Sequence, residues 1–229
     1  MKQVVPGFYE VSLGMVNVFL VQSSDGLVLI DAGNPGSDLA IMEAVKELGK
    51  GPADIKHILV THCHGDHTGG LAEIKRLTGA PVYMHPLDAE MVRAGKSRRP
   101  WAPAPGLITR IVFRLFVQSA PAEMEAVEVE YEIHDGEEIA GGLSVLHTPG
   151  HTAGHLAFLG SHNGKGVLFA GDVASNMMSL GLSVVYEELS EGERTLARLS
   201  GLDFDVACFG HGRAITEGAA ARFRRKWGA

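Results

Sequence analysis

Thr61-His62-Cys63-His64-Gly65-Asp66-His67 is the stretch on which the reading of this chain turns. It follows an apolar run at 55–60 of buried-strand character and precedes helical spacing over 69–77, closed by Gly79. In extended chain, residues i and i+2 project to one side, so the His62 and His64 imidazoles can reach a single ion. Asp66 and His67 stand at the turn into the next helix. Neighbours point apart, so this pair suits a different ion close by. Four ligand-type side chains within six residues mark a metal site. Cys63, between two of them, points away from their shared ion and is not read as a nucleophile.

Two imidazoles do not complete a coordination sphere, because catalytic zinc usually takes three protein ligands and leaves a position for water. The candidates lie at other strand ends beside glycine, where a chain can approach an ion closely. His151 sits in the Gly/Pro-broken loop His147-Thr148-Pro149-Gly150-His151-Thr152-Ala153-Gly154-His155. Asp172 follows Val167-Leu168-Phe169-Ala170-Gly171, and His211 lies between Gly210 and Gly212 after Val206-Ala207-Cys208-Phe209.

The strings T-H-x-H-x-D-H, H-T-P-G-H-T, F-A-G-D and G-H-G, in this order, resemble the metallo-β-lactamase superfamily over nearly the whole chain. The resemblance implies an α/β fold, the αββα sandwich, with two central mixed β-sheets flanked by helices and the site along one sheet edge. It implies that His62, His64 and His151 bind one ion, that Asp66, His67 and His211 bind a second, and that Asp172 bridges both. The implied cofactors are two divalent metal ions, expected to be Zn2+, with Fe or Mn as alternatives. Asp31 of Ile30-Asp31-Ala32-Gly33 matches a family position that supports the metal loop from behind; on its own it reads equally as a turn cap.

The implied activity is hydrolysis of a small-molecule ester, thioester, lactone or phosphodiester by a metal-bridging hydroxide, with Asp66 as the catalytic residue that passes a proton to the leaving group. Glyoxalase II enzymes resemble the chain but add a C-terminal helical domain, and only 18 residues follow His211. Acyl-homoserine lactonases carry a tyrosine where Ser175 stands. Zinc β-lactamases generally lack the bridging aspartate. Two other classes stay open: a mononuclear-iron persulfide dioxygenase-like oxidoreductase, and a non-catalytic metal-binding module.

The remainder of the sequence sets boundaries. Its 229 residues, 45% hydrophobic and 21% charged, are expected to form one domain over 1–229 that needs no staple. A net charge of −7 argues against a nucleic-acid partner. No apolar run reaches the roughly 18 to 20 residues of a membrane span. Two cysteines and no signal-type N-terminus lead to an expected cytoplasmic location.

Strands are expected over 8–13, 15–22 and 27–30, the last two as a hairpin, with a helix over 37–48. In the second half, strands around Ile133, Ile139, 143–146, 156–159, 167–169 and 206–209 alternate with helices over 191–199 and 217–227. An insertion at 97–130 carries an amphipathic helix: Leu107, Ile108, Ile111, Val112, Leu115 and Phe116 on one face, Arg110 and Arg114 opposite. It reads either as packing on the core or as a lid or homodimer contact. As a lid it tilts the small-molecule partner towards an apolar acyl part. His57, His85, His134 and His162 read as non-ligands, His147 and His155 as supporting residues, and Asp88 and Glu90 as acids of a helix's first turn.

Overall fold

Alternation along the strands decides the layering. The structure is a computed structural model, and it describes residues 1–228. Its strands are β1 (Lys2–Val5), β2 (Phe8–Ser12), β3 (Asn17–Gln22), β4 (Leu27–Ile30), β5 (Ile55–Leu59), β6 (Val82–Met84), β7 (Ala102–Pro103), β8 (Tyr131–Glu132), β9 (Glu138–Ile139), β10 (Leu143–His147), β11 (Leu156–His162), β12 (Lys165–Phe169), β13 (Val185–Tyr186) and β14 (Val206–Cys208). The helices are α1 (Asp38–Glu47), α2 (Gly65–Thr68), α3 (Leu71–Thr78), α4 (Pro86–Arg93), α5 (Leu107–Val112), α6 (Leu189–Ser200) and α7 (Ala219–Trp227).

One sheet has the order β1-β2-β3-β4-β5-β6-β8 and the other β14-β12-β11-β10-β9. On β3 and β4, Phe19, Val21, Val28 and Ile30 face the second sheet and meet Val145, Phe158, Val167 and Phe169. The intervening Val18, Leu20, Leu27 and Leu29 face outward and pack with Ile41, Val45, Leu71, Ile74 and Val92 of α1, α3 and α4. On the second sheet, Ala157, Leu168 and Ala207 turn outward beneath Leu196, Leu199 and Phe223 of α6 and α7. Strands apolar on both faces require cover on both, and the αββα sandwich is the result.

Strand direction places the site. β4, β5 and β6 are mutually parallel, and so are β12 and β14. β10 runs the same way as β12, since both are antiparallel to β11. Their carboxyl ends lie along one edge of the sandwich, where open α/β sheets commonly bind ligands. The expected elements are present with shifts of a residue or two, including the 23–26 hairpin. Strand β1 and the short β7–β13 pair were not anticipated. Ile133 lies one residue past β8 and bonds through its N–H to the Met84 carbonyl.

The insertion differs from one of its two readings. Its helix forms, and then widens into an i+5 turn closed by Gln118 N–H to the Phe113 carbonyl. But Leu107, Ile108, Ile111, Leu115 and Phe116 are exposed, so this face does not pack on the core. Both cysteines are free and buried. No helix among the described residues is long and apolar enough to cross a membrane.

The inter-sheet layer is testable at Phe169, whose ring centroid lies 5.2 Å from that of Phe19 and 5.8 Å from that of Phe8. Phe169→Ala is expected to cost about 3–5 kcal/mol in urea unfolding. A loss below about 1 kcal/mol would contradict the layering.

Candidate metal centre

Four of the five rings that face the centre are oriented by a bond made on the far side; His64 faces inward through Nδ1 and its outer Nε2 is buried without a partner. The Nδ1–H of His151 donates to the Val185 carbonyl (2.8 Å) and that of His211 to the Met15 carbonyl (2.7 Å). His67 Nδ1–H donates to Asp31 Oδ2 (2.9 Å). The Thr61 hydroxyl gives its proton to Asp31 and is left to accept from His62 Nδ1–H at 2.9 Å. In all four rings the outer bond takes the Nδ1 proton and Nε2 is the atom that faces inward, the arrangement that outer hydrogen bonds impose on metal-binding histidines.

The inward atoms converge. His151 Nε2 lies 3.2 Å from His62 Nε2 and 2.9 Å from His64 Nδ1. His211 Nε2 lies 3.2 Å from Asp66 Oδ2 and 3.1 Å from Asp172 Oδ2, while His67 Nε2 is 3.5 Å from Asp172 Oδ1. His151 Nε2 is also 3.6 Å from Asp172 Oδ2, so this carboxylate stands between the two groups of rings. Three sets could each hold an ion: His62 with His64 and His151, His62 with His67 and Asp172, and Asp66 with His67 and His211. All seven residues picked out in the sequence meet here.

Two bare nitrogen lone pairs 3.2 Å apart repel unless a cation lies between them. A tetrahedral ion with Zn–N bonds of about 2.0–2.1 Å holds its ligand atoms roughly 3.3 Å apart, close to the spacing found. His67 Nε2 and Asp172 Oδ1 are buried with no hydrogen-bond partner, a condition polar atoms rarely endure. The residues present fit a metal.

The electrostatics divide the site. Burial, helped by neighbouring imidazoles, holds His62 and His64 well below the ordinary histidine range, so this end is neutral. At the other end burial opposes a charge on His67, yet the Asp172, Asp31 and Asp66 carboxylates outweigh it and lift the ring to about 9. Against burial, His211 and His67 hold the Asp172 carboxylate far below its usual range.

Several supporting residues escape local sequence patterns. Asp31 adopts φ 62°, a left-handed conformation costly outside glycine, and in it the buried carboxylate accepts from Thr61 N–H, Thr61 Oγ1–H and His67. His155 accepts the Asp172 N–H on Nε2 at 2.9 Å and donates from Nδ1 to Thr148 Oγ1. His147 touches none of the seven; it bonds to the Ala153 carbonyl and stacks on His85. Cys63 is buried in the apolar cluster beneath α3 and α4. Gly210 leaves room for the site: a Cβ there would come within 2.2 Å of Asp172 Oδ1 and 2.6 Å of His67 Cε1.

Asp88 is more than a helix acid. Fully buried on α4, it accepts from Cys63 N–H, Gly154 N–H, Thr152 Oγ1–H and the Arg99 guanidinium. One carboxylate thereby ties the 61–67 loop to the 148–154 loop.

The family model for the metallo-beta-lactamase superfamily matches residues 11–211. The chain belongs to this superfamily. It is 35% identical to the uncharacterized protein YobT of Bacillus subtilis over 161 residues, covering 69% of this chain and 61% of that one. It is 30% identical to the thioesterase pkgB of Emericella nidulans over 202 residues, covering 87% and 46%. A metallo-beta-lactamase of Cronobacter sakazakii superimposes with a TM-score of 0.72 at 25% identity, covering 92% of this chain and 77% of that structure. The chain thus spans about half to three fifths of the length of several curated relatives it matches. The superfamily fold implies divalent-metal binding, and its members are mostly metal-dependent hydrolases.

Asp88→Ala would leave three donors and a guanidinium facing a buried void. Zinc affinity, measured by competition with a chromophoric chelator, is expected to fall about 10- to 100-fold. Unchanged affinity would contradict the tying role.

Proposed function

We propose that this superfamily member is a two-metal hydrolase of a small-molecule ester or thioester, with lactone and phosphodiester bonds as chemical neighbours. The observation that carries the reading is the His62–His151 contact: two Nε2 lone pairs held face to face in a dry site, with Asp172 reaching from there to His67 and His211. His62, His64 and His151 would hold one ion and Asp66, His67 and His211 the other, with the Asp172 carboxylate shared between them. Zinc suits the imidazole-rich donor set. Bound there, such ions would supply Lewis acidity and lower the pKa of water towards about 7.

The chain's own groups do the rest. Asp66 is the most open of the carboxylates, with its side chain 38% exposed. Burial raises its proton affinity, but His67 and His211 win and keep it an anion. As an exposed anion beside the metal positions, it is placed to take up the proton that the attacking water loses and to pass it to the leaving oxygen or sulfur. Asp31 and His155 hold the His67 ring and the Asp172 backbone in place while this happens. A relative named a thioesterase supports acyl transfer to water as the reaction class. The exposed apolar face of α5 supports an acyl substrate with an apolar part, and the acidic net charge supports a partner other than nucleic acid.

Two measurements test this reading. Purified protein should carry two zinc equivalents per chain and cleave at least one member of a panel of esters, thioesters, lactones, phosphodiesters and a β-lactam. Chelation should abolish that turnover and zinc should restore it; full turnover in metal-free protein would sink the proposal. Affinity at the second position should also rise about tenfold or more per pH unit between pH 7 and 9, because an ion must displace the proton that the carboxylates hold on His67 up to about pH 9. The first position, with His62 and His64 already neutral, should be flat over that range. Identical pH slopes for both ions would contradict the division of the site.

A further inference from the structure

The start of the insertion lies against the metal loop. Ser97 packs beside Gly65, Arg99 bonds to Asp88, and the Trp101 indole stands edge-on to His64 with ring centroids 4.8 Å apart. The short β7–β13 pairing then pins this segment to the loop whose Val185 carbonyl orients His151. The segment therefore forms one wall beside the metal centre.

Arg98 is the group in this wall that nothing described so far uses. Its guanidinium carbon lies 5.0 Å from the centre of the Trp101 ring, in cation–π contact. Arg99, next to it, is bonded to Asp88 and faces Glu187 at 3.3 Å. Arg98 makes no ion pair or hydrogen bond among the described residues, and its Nε is buried without a partner. A buried N–H without an acceptor is costly, and each such group in a folded protein calls for an account. Contact with the indole restricts the guanidinium, whose N–H fork has no protein acceptor among the described residues, and such a fork matches an oxyanion with two parallel bonds. The two ring contacts in series place it within about 10 Å of the His64 ring. That is within reach of the far end of a short acyl chain whose carbonyl sits at the metals.

We propose that Arg98, held on Trp101, is an oxyanion subsite that selects acyl substrates bearing a second, anionic group such as a carboxylate. Trp101 is its platform, and Arg98 is a specificity residue that takes no part in bond cleavage. This deepens the hydrolase reading and rests on it only where turnover is compared.

The chain has two tryptophans, so the Trp227→Phe variant leaves Trp101 as the sole emitter and a direct reporter. Titrating glutarate into this zinc-loaded variant should change the emission saturably. Adding Arg98→Gln should weaken that binding about 10- to 100-fold, the range for losing a charge-assisted pair, with zinc content unchanged. In parallel, Arg98→Gln should raise KM for mono-p-nitrophenyl glutarate by a similar factor with kcat nearly constant. It should leave p-nitrophenyl valerate, a neutral ester of equal chain length, unaffected. Equal glutarate binding in the presence and absence of Arg98 would overturn the subsite, as would equal losses on both esters. Arg98-dependent glutarate binding in a protein that cleaves neither these esters nor any other member of the panel would instead remove the hydrolase reading and leave the subsite standing.

Discussion

The constraint on which the site depends is the outer hydrogen bond that fixes the Nδ1 proton on four of the five inward-facing imidazoles. A neutral histidine carries one N–H, and wherever a carbonyl, a hydroxyl or a carboxylate claims it on the outer side, the inner nitrogen is left as a lone pair. Val185, Met15, Thr61 and Asp31 make that claim for His151, His211, His62 and His67. Where the rings stay neutral, at His62 and His151, two such lone pairs lie 3.2 Å apart and repel. A cation resolves the conflict, and the protein spends rigid, distant backbone to maintain it.

The sandwich follows from the same requirement. The inward donors come from four loops, and each loop leaves the carboxyl end of a strand or the turn that succeeds it. Parallel pairing of β4, β5 and β6, and of β12 with β14, sends those ends to one edge. Gly210 lets the β14 end approach closely enough for His211 to stand across from Asp66. The apolar layers on both faces of each sheet make that edge stiff.

Much of this was legible in the chain itself. The i, i+2 spacing of His62 and His64 is a local geometric fact, and so is the apolar run that ends at it. The later histidines and Asp172 were legible through their place beside glycine and through family order. The support beneath them was not. Asp88 looks like any acid in a first helical turn until folding brings Cys63, Thr152, Gly154 and Arg99 around it. His155 could be suspected only from its proximity to His151, while the bond it makes is to a residue 17 positions away. The amphipathic pattern of α5 signalled a helix, but periodicity does not say whether an apolar face meets a core, and here it faces outward. Arg98 is one cation among 20 in the composition; its isolation from carboxylates exists only in three dimensions.

The most direct test of the central claim is an anomalous-scattering map recorded above the zinc edge from crystals of the zinc-loaded protein. The account requires one peak bonded to His62, His64 and His151, and a second bonded to Asp66, His67 and His211, with Asp172 between them. Density at neither position, with the same side chains turned apart in the presence of ample zinc, would contradict it.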